Sequence, residues 1–143
     1  CYQGLNSRLD EIQAAFLNVK LKYIQQDITS RRKVANYYLE NIDNEKITLP
    51  NVVNTKGHVW HLFVIRVKER NKLQKYLLEN GVQTLIHYPI PPYQQKAYKA
   101  YNNFSFPISD KIHSEVLSLP LNSVMTKEDV ESVVVLINKY VNL

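Results

Sequence analysis

The 143 residues suit one domain with room for a real core, and 45% apolar with 22% charged content is ordinary for a globular chain. One cysteine, Cys1, excludes a disulfide framework within the chain, and no apolar run approaches the length of a membrane span, so a reducing, cytoplasmic setting is the expectation. A net charge of +5 with a pI near 9.2 permits nucleic acid, a membrane surface or an anionic small molecule as partner and selects none of them.

The first predicted element is helical, from about Ser7 to about Gln26. Ser7 or Asn6 can cap it, Asp10 stands in the capping-box position relative to Ser7, and Asp10 and Glu11 complement the helix dipole. Leu5, Leu9, Ile12, Phe16, Val19 and Tyr23 draw one apolar stripe along it. Asp27-Ile28-Thr29-Ser30 offers a second start signal. The pattern predicts one long kinked helix or two in succession to about Asn41, with Val34, Tyr37 or Tyr38, and Ile42 as the second apolar face. Asp43-Asn44 reads as the turn that ends it.

Ile47-Thr48-Leu49 is a short strand candidate, and Asn51 to Gly57 is loop-like. The run from His58 to Val67 is the clearest strand, apolar on nearly both faces and therefore central in its sheet. Asn71 to Asn80 predicts an amphipathic helix with Leu73, Tyr76 and Leu77 inward and Gly81 at C′. Val82 to Tyr88 is a second strand, ended by Pro89, Pro91 and Pro92. Short helices follow around Gln94 to Tyr101 and Pro107 to Leu117, with Ser109 a possible cap for the latter. Thr126 and Asp129 open a last helix whose buried face is Val130, Val133, Val134, Ile137 and Val141. The order argues for an α+β fold: a helical segment over 1–43, then an α+β body over 44–143 in which helices pack on a small antiparallel sheet, all one domain.

Four clusters could carry chemistry. The helix start at Asn6 offers free N–H groups, an amide donor and, at Arg8, a planar cation that can fork onto phosphate; a capped helix with an exposed arginine explains the same residues. His87-Tyr88-Pro89-Ile90-Pro91-Pro92 is a strand end whose prolines stiffen a loop presenting imidazole and phenol, and a histidine satisfied by a backbone carbonyl is the plainer account. Arg31-Arg32-Lys33 fans over several helix faces and reads as a solvated surface. His58 and His61, three apart on a strand, face opposite sides and cannot share a metal ion. Ten tyrosines suit interfaces and polar ligands.

The string Gly4-Leu5-Asn6-Ser7-Arg8-Leu9-Asp10-Glu11-Ile12-Gln13-Ala14-Ala15 closely resembles the Gly-x-Asn-x-Arg-Leu-x-Glu-x-Gln-Ala-Ala signature of the DegT/DnrJ/EryC1/StrS family. These are pyridoxal-phosphate-dependent nucleotide-sugar aminotransferases of the aspartate-aminotransferase fold (fold type I). The similarity runs over essentially the whole chain but matches only the C-terminal part of such enzymes, which implies the small C-terminal domain of a larger protein. The absence of an initial Met agrees.

The resemblance also assigns roles. The residue matching Asn6 reaches across a homodimer to the cofactor phosphate of the other subunit, and Arg8 matches an arginine near the same site. An arginine at Arg31 can meet the diphosphate of the nucleotide sugar. Relatives acting at the 3-position of dTDP-hexoses carry a His-Tyr-Pro-x-Pro-Pro string, so His87 and Tyr88 are expected near the nucleotide sugar bound in the neighbouring subunit. Those relatives commonly have His where Tyr93 stands here, which puts a role for position 93 in doubt.

The family's Schiff-base lysine lies upstream of the signature, and no lysine of this chain sits in a matching context. No catalytic residue is assigned, and the chain alone is expected to be inactive. The implied parent aminates a dTDP-linked 3-keto-6-deoxyhexose with glutamate as donor. Removing a large domain should expose apolar surface around Ile12, Phe16 and Val19 and favour self-association. The rival class is a non-catalytic module binding nucleotide sugar or nucleic acid; no recognition helix or aromatic RNA motif supports the latter.

Overall fold

The structure, a computed structural model, describes residues 9–141. Helix α1 (Glu11–Leu21) starts at Asp10, whose carboxylate accepts from the Ile12 N–H at 2.9 Å. The cap expected at Ser7 or Asn6 falls outside the described residues; within them Asp10 has the role. After a turn at Lys22-Tyr23, helix α2 (Ile24–Asn41) follows. The break comes before Asp27-Ile28-Thr29-Ser30, not at it. Thr29 lies inside α2, where its hydroxyl donates to the Gln25 carbonyl one turn back.

None of α1's residues is buried. Ile12, Phe16 and Val19 are 67%, 68% and 56% exposed, so the described part of the predicted apolar stripe covers nothing among the described residues. Beyond α2 the body closes on itself. Strand β1 (Phe63–Arg66) pairs antiparallel with β2 (Val116–Leu119), Phe63 opposite Leu119 and Val64 opposite Ser118. Helices α3 (Arg70–Glu79), α4 (Pro107–Glu115) and α5 (Lys127–Lys139) surround them. Two 3-10 segments, Pro92–Gln94 and Lys96–Tyr101, lie between α3 and α4.

The sheet is smaller than the sequence predicts. The strand expected over His58 to Val67 is cut to four residues because Trp60 turns to a left-handed φ of 51°. The strands expected at Ile47 to Leu49 and Val82 to Tyr88 contribute one bridge each, Thr48 to Arg66 and Leu85 to Ser118. The helix expected to reach Leu117 stops at Glu115, and Val116 leads into β2, all four of whose residues are buried. Pro107 opens that helix at N1, with Phe106, not Ser109, at the N-cap.

Trp60, Phe63, Ile65, Leu117, Leu119, Tyr38, Leu73, Leu77 and Ile137 form the core. The inward face of α5 is Val130, Val133, Val134 and Ile137, as its spacing requires; Val141, past the helix end, is 65% exposed instead. Thr126 and Asp129 form the full reciprocal capping box. Gly81 takes φ +83 just after α3, the left-handed position a side chain would strain. No helix among the described residues is long and apolar enough to cross a membrane.

Candidate functional site

Arg31 and Arg32 are half-buried, not solvated as the run Arg31-Arg32-Lys33 suggests. The Arg31 Nη1 donates to the carbonyls of Trp60 (3.3 Å), His61 (3.2 Å) and Leu121 (3.3 Å). Arg32 donates from Nε to the His58 carbonyl at 3.0 Å and from Nη2 to that of Lys56. Together they pin the loop before β1 onto α2. The Trp60 and His61 carbonyls are free for this because Trp60, left-handed and 2% exposed, takes the chain out of sheet pairing. A bulky residue in that region costs on the order of 1–3 kcal/mol. Opposing terms are the stacking of Trp60 on Phe63, centroids 5.3 Å apart, and the bond its backbone N–H donates to the His58 Nδ1 at 3.0 Å.

His87 and Tyr88 stand where the second predicted strand gives out, joined by a cis peptide bond. The Leu85 bridge to Ser118 places His87 two residues on, and its Nδ1 lies 2.9 Å from the Ser118 Oγ. The Tyr88 ring is 64% exposed and meets the His87 ring edge-on at 5.4 Å. The Tyr88 carbonyl accepts from the His113 Nδ1 at 2.6 Å, which fixes the proton on that nitrogen because a carbonyl can only accept. The proline run then turns into the first 3-10 segment. Tyr93 donates its hydroxyl to the Asp110 carboxylate and accepts from the Gln94 amide at 2.8 Å. The bond to Asp110 holds the Tyr93 phenol above its ordinary pKa.

These anchors converge. Arg31 is tied to Leu121 and His87 to Ser118, three residues apart on one segment, so the anchor points lie at most about 11 Å from each other. His58 and His61 do not lie on a strand; His58 is spent on the Trp60 N–H, and no group of three His, Cys, Asp or Glu among the described residues is placed to hold a metal. Asn6 and Arg8 lie outside the described residues. Asp110, His113 and Ser118 are missing from the sequence reading. The one available signal was a polar residue within Val116-Leu117-Ser118-Leu119, and reading a helix to Leu117 hid it.

Residues 2–138 match the DegT/DnrJ/EryC1/StrS aminotransferase family. The chain is 58% identical over 139 residues to the dTDP-3-amino-3,6-dideoxy-alpha-D-galactopyranose transaminase of Aneurinibacillus thermoaerophilus, covering 97% of this chain and 38% of that one. Among solved structures it is similar to S. venezuelae DesV in complex with a ketimine intermediate, with TM-score 0.88 and 32% identity over 98% of this chain and 39% of that chain. NtdA from Bacillus subtilis with bound cofactor PMP gives TM-score 0.82 and 33% identity over 94% of this chain and 33% of that chain. The chain thus spans less than half the length of the proteins it matches, and the small α+β architecture is a part of the aminotransferase fold.

Proposed function

We propose, from the premise that this chain belongs to the DegT/DnrJ/EryC1/StrS aminotransferase family, that it is the small C-terminal domain of a longer pyridoxal-phosphate enzyme that moves the amino group of glutamate onto a dTDP-linked 3-keto-6-deoxyhexose. The 58% identity to a dTDP-3-amino-sugar transaminase carries this reading. The longer protein acts as a homodimer with shared active sites. Asn6 and Arg8 serve the cofactor phosphate, while Arg31, His87 and Tyr88 serve the nucleotide sugar, all donated across the subunit interface. The exposed apolar face of α1 supports packing against further protein surface.

The described residues do not themselves fit the cofactor. Every lysine among them is exposed except Lys46, which is half-buried. Lys46 lines a cleft of about 400 Å³ with Glu45, Arg66, Lys68, Glu69 and Lys111, where no aromatic face can stack on a pyridine ring. In this reading the chain contributes binding and orientation only, and alone transfers no amino group. In that role His87 and Tyr88 stand on a proline-stiffened loop, which lowers the entropy lost when a ligand orders them.

The test is a titration of the chain with dTDP, beside His87→Ala and Tyr88→Ala, followed by borohydride reduction in the presence of pyridoxal phosphate. Binding of dTDP that either substitution weakens, with no lysine labelled preferentially, is the expected result. Specific labelling of one lysine, or salt-sensitive oligonucleotide binding with no response to dTDP, overturns the reading.

A further inference from the structure

Three side chains from one continuous stretch reach the loop that carries His87 and Tyr88. Asp110 and His113 are three apart on α4 and therefore share a helix face. The Asp110 carboxylate accepts from the Tyr93 hydroxyl, and the His113 Nδ1 donates to the Tyr88 carbonyl at 2.6 Å. Ser118, on the strand that continues from α4, meets the His87 Nδ1 at 2.9 Å. The stretch is itself held: Arg70 donates to the His113 carbonyl at 2.8 Å, and the Ser118 backbone exchanges both hydrogen bonds with Leu85.

Ser118 is the telling case. Its neighbours in β2 are Val116, Leu117 and Leu119, and it is 4% exposed. A hydroxyl buried there is unfavourable unless bonded, and its backbone is already satisfied, so the His87 ring is what its side chain serves. Whichever partner supplies the proton, that bond occupies Nδ1 and leaves Nε2 for another group.

We propose that Asp110, His113 and Ser118 are positioning residues: Ser118 fixes the ring orientation of His87 through its Nδ1, while His113 and Asp110 hold the loop at Tyr88 and Tyr93 so that imidazole and phenol are presented together. The proposal rests on the reading of His87 and Tyr88 as ligand-facing residues, and its geometric content is testable without ligand. In Ser118→Ala the His87 ring nitrogens, followed by nitrogen-15 NMR, shift as the bond at Nδ1 is lost, whichever partner had supplied its proton. Ser118→Thr, which restores the hydroxyl, returns them. In His113→Ala the backbone amides of Tyr88 and Ile90 lose order in nitrogen-15 relaxation, and His113→Asn, whose side-chain N–H reaches a similar point, recovers it.

A role confined to stability would lower the melting temperature without moving the His87 ring-nitrogen shifts. Unchanged His87 shifts in Ser118→Ala, or unchanged order at Tyr88 and Ile90 in His113→Ala, overturn the proposal. With dTDP added, Ser118→Ala and His113→Ala weaken binding by on the order of tenfold. If the wild-type chain ignores dTDP while the ring-nitrogen and order changes occur, the ligand assignment falls and the positioning stands; dTDP binding with no such changes has the opposite meaning.

Discussion

Two buried hydroxyls a short distance apart in the fold show how a residue's worth depends on its partner. Ser118 finds His87; Thr84, 7% exposed, has no partner for its Oγ1 among the described residues. Its backbone carbonyl is served by the Gln74 amide at 3.3 Å, but the hydroxyl has given up water for nothing. Thr84→Val keeps the shape and removes the unpaired group. It should stabilise the chain by about 1 kcal/mol, read as a higher urea midpoint at unchanged slope; a lower midpoint would mean the hydroxyl is bonded. At this scale the sequence was informative about chemistry and poor about partners. Arg31 could be singled out as a planar cation, but its three carbonyl acceptors come from segments about 30 and 90 residues away, beyond any local pattern.

Helices were legible because their signals are local. The capping box at Thr126, the glycine after α3 and the spacing of Val130, Val133, Val134 and Ile137 each specify one feature within a few residues, and the structure has them all. Strands were not, because an apolar run does not say where pairing stops. From His58 to Val67 the composition is uniform, yet a single left-handed residue at Trp60 ends the strand. Pattern also says nothing about whether a face has a partner. The stripes of α1 and α5 look alike in sequence, but α1 buries nothing and α5 buries four residues. Phe16→Ala should therefore change the stability of this chain by less than about 0.5 kcal/mol. Ile137→Ala, at a position with no exposure, should cost about 2–5 kcal/mol. Denaturant unfolding of the two variants compares them directly; a large loss in Phe16→Ala would show that α1 is packed after all.

The molecule as a whole is tied across its core by Tyr38, and that tie gives stability a pH dependence. Tyr38 on α2 is fully buried, stacks edge-on against Phe63 at 5.0 Å and donates its hydroxyl to the Pro120 carbonyl at 2.8 Å. Burial, reinforced by the negative charge of Asp129, pushes its pKa well above the usual phenol value of 10.0. The folded chain thus holds this proton more tightly than the unfolded chain does. The stabilisation is complete below about pH 10 and is lost as pH rises past it, by about 1.4 kcal/mol per pH unit from this one group. Burial shifts Tyr140 the same way, while Tyr93, lying at the surface, adds little. Tyr38→Phe removes the titration and also leaves the Pro120 carbonyl without its donor. It should lose about 1 kcal/mol near neutral pH, yet decline less steeply than wild type above about pH 10. Urea midpoints measured from about pH 8 to about pH 11, with Trp60 fluorescence as the probe, test both halves, and parallel declines in the two proteins would refute the assignment. Pro120 lies between Ser118 and Leu121, the residues that anchor His87 and Arg31. Removing the Tyr38 hydroxyl in Tyr38→Phe should therefore also loosen the segment on which both anchors depend.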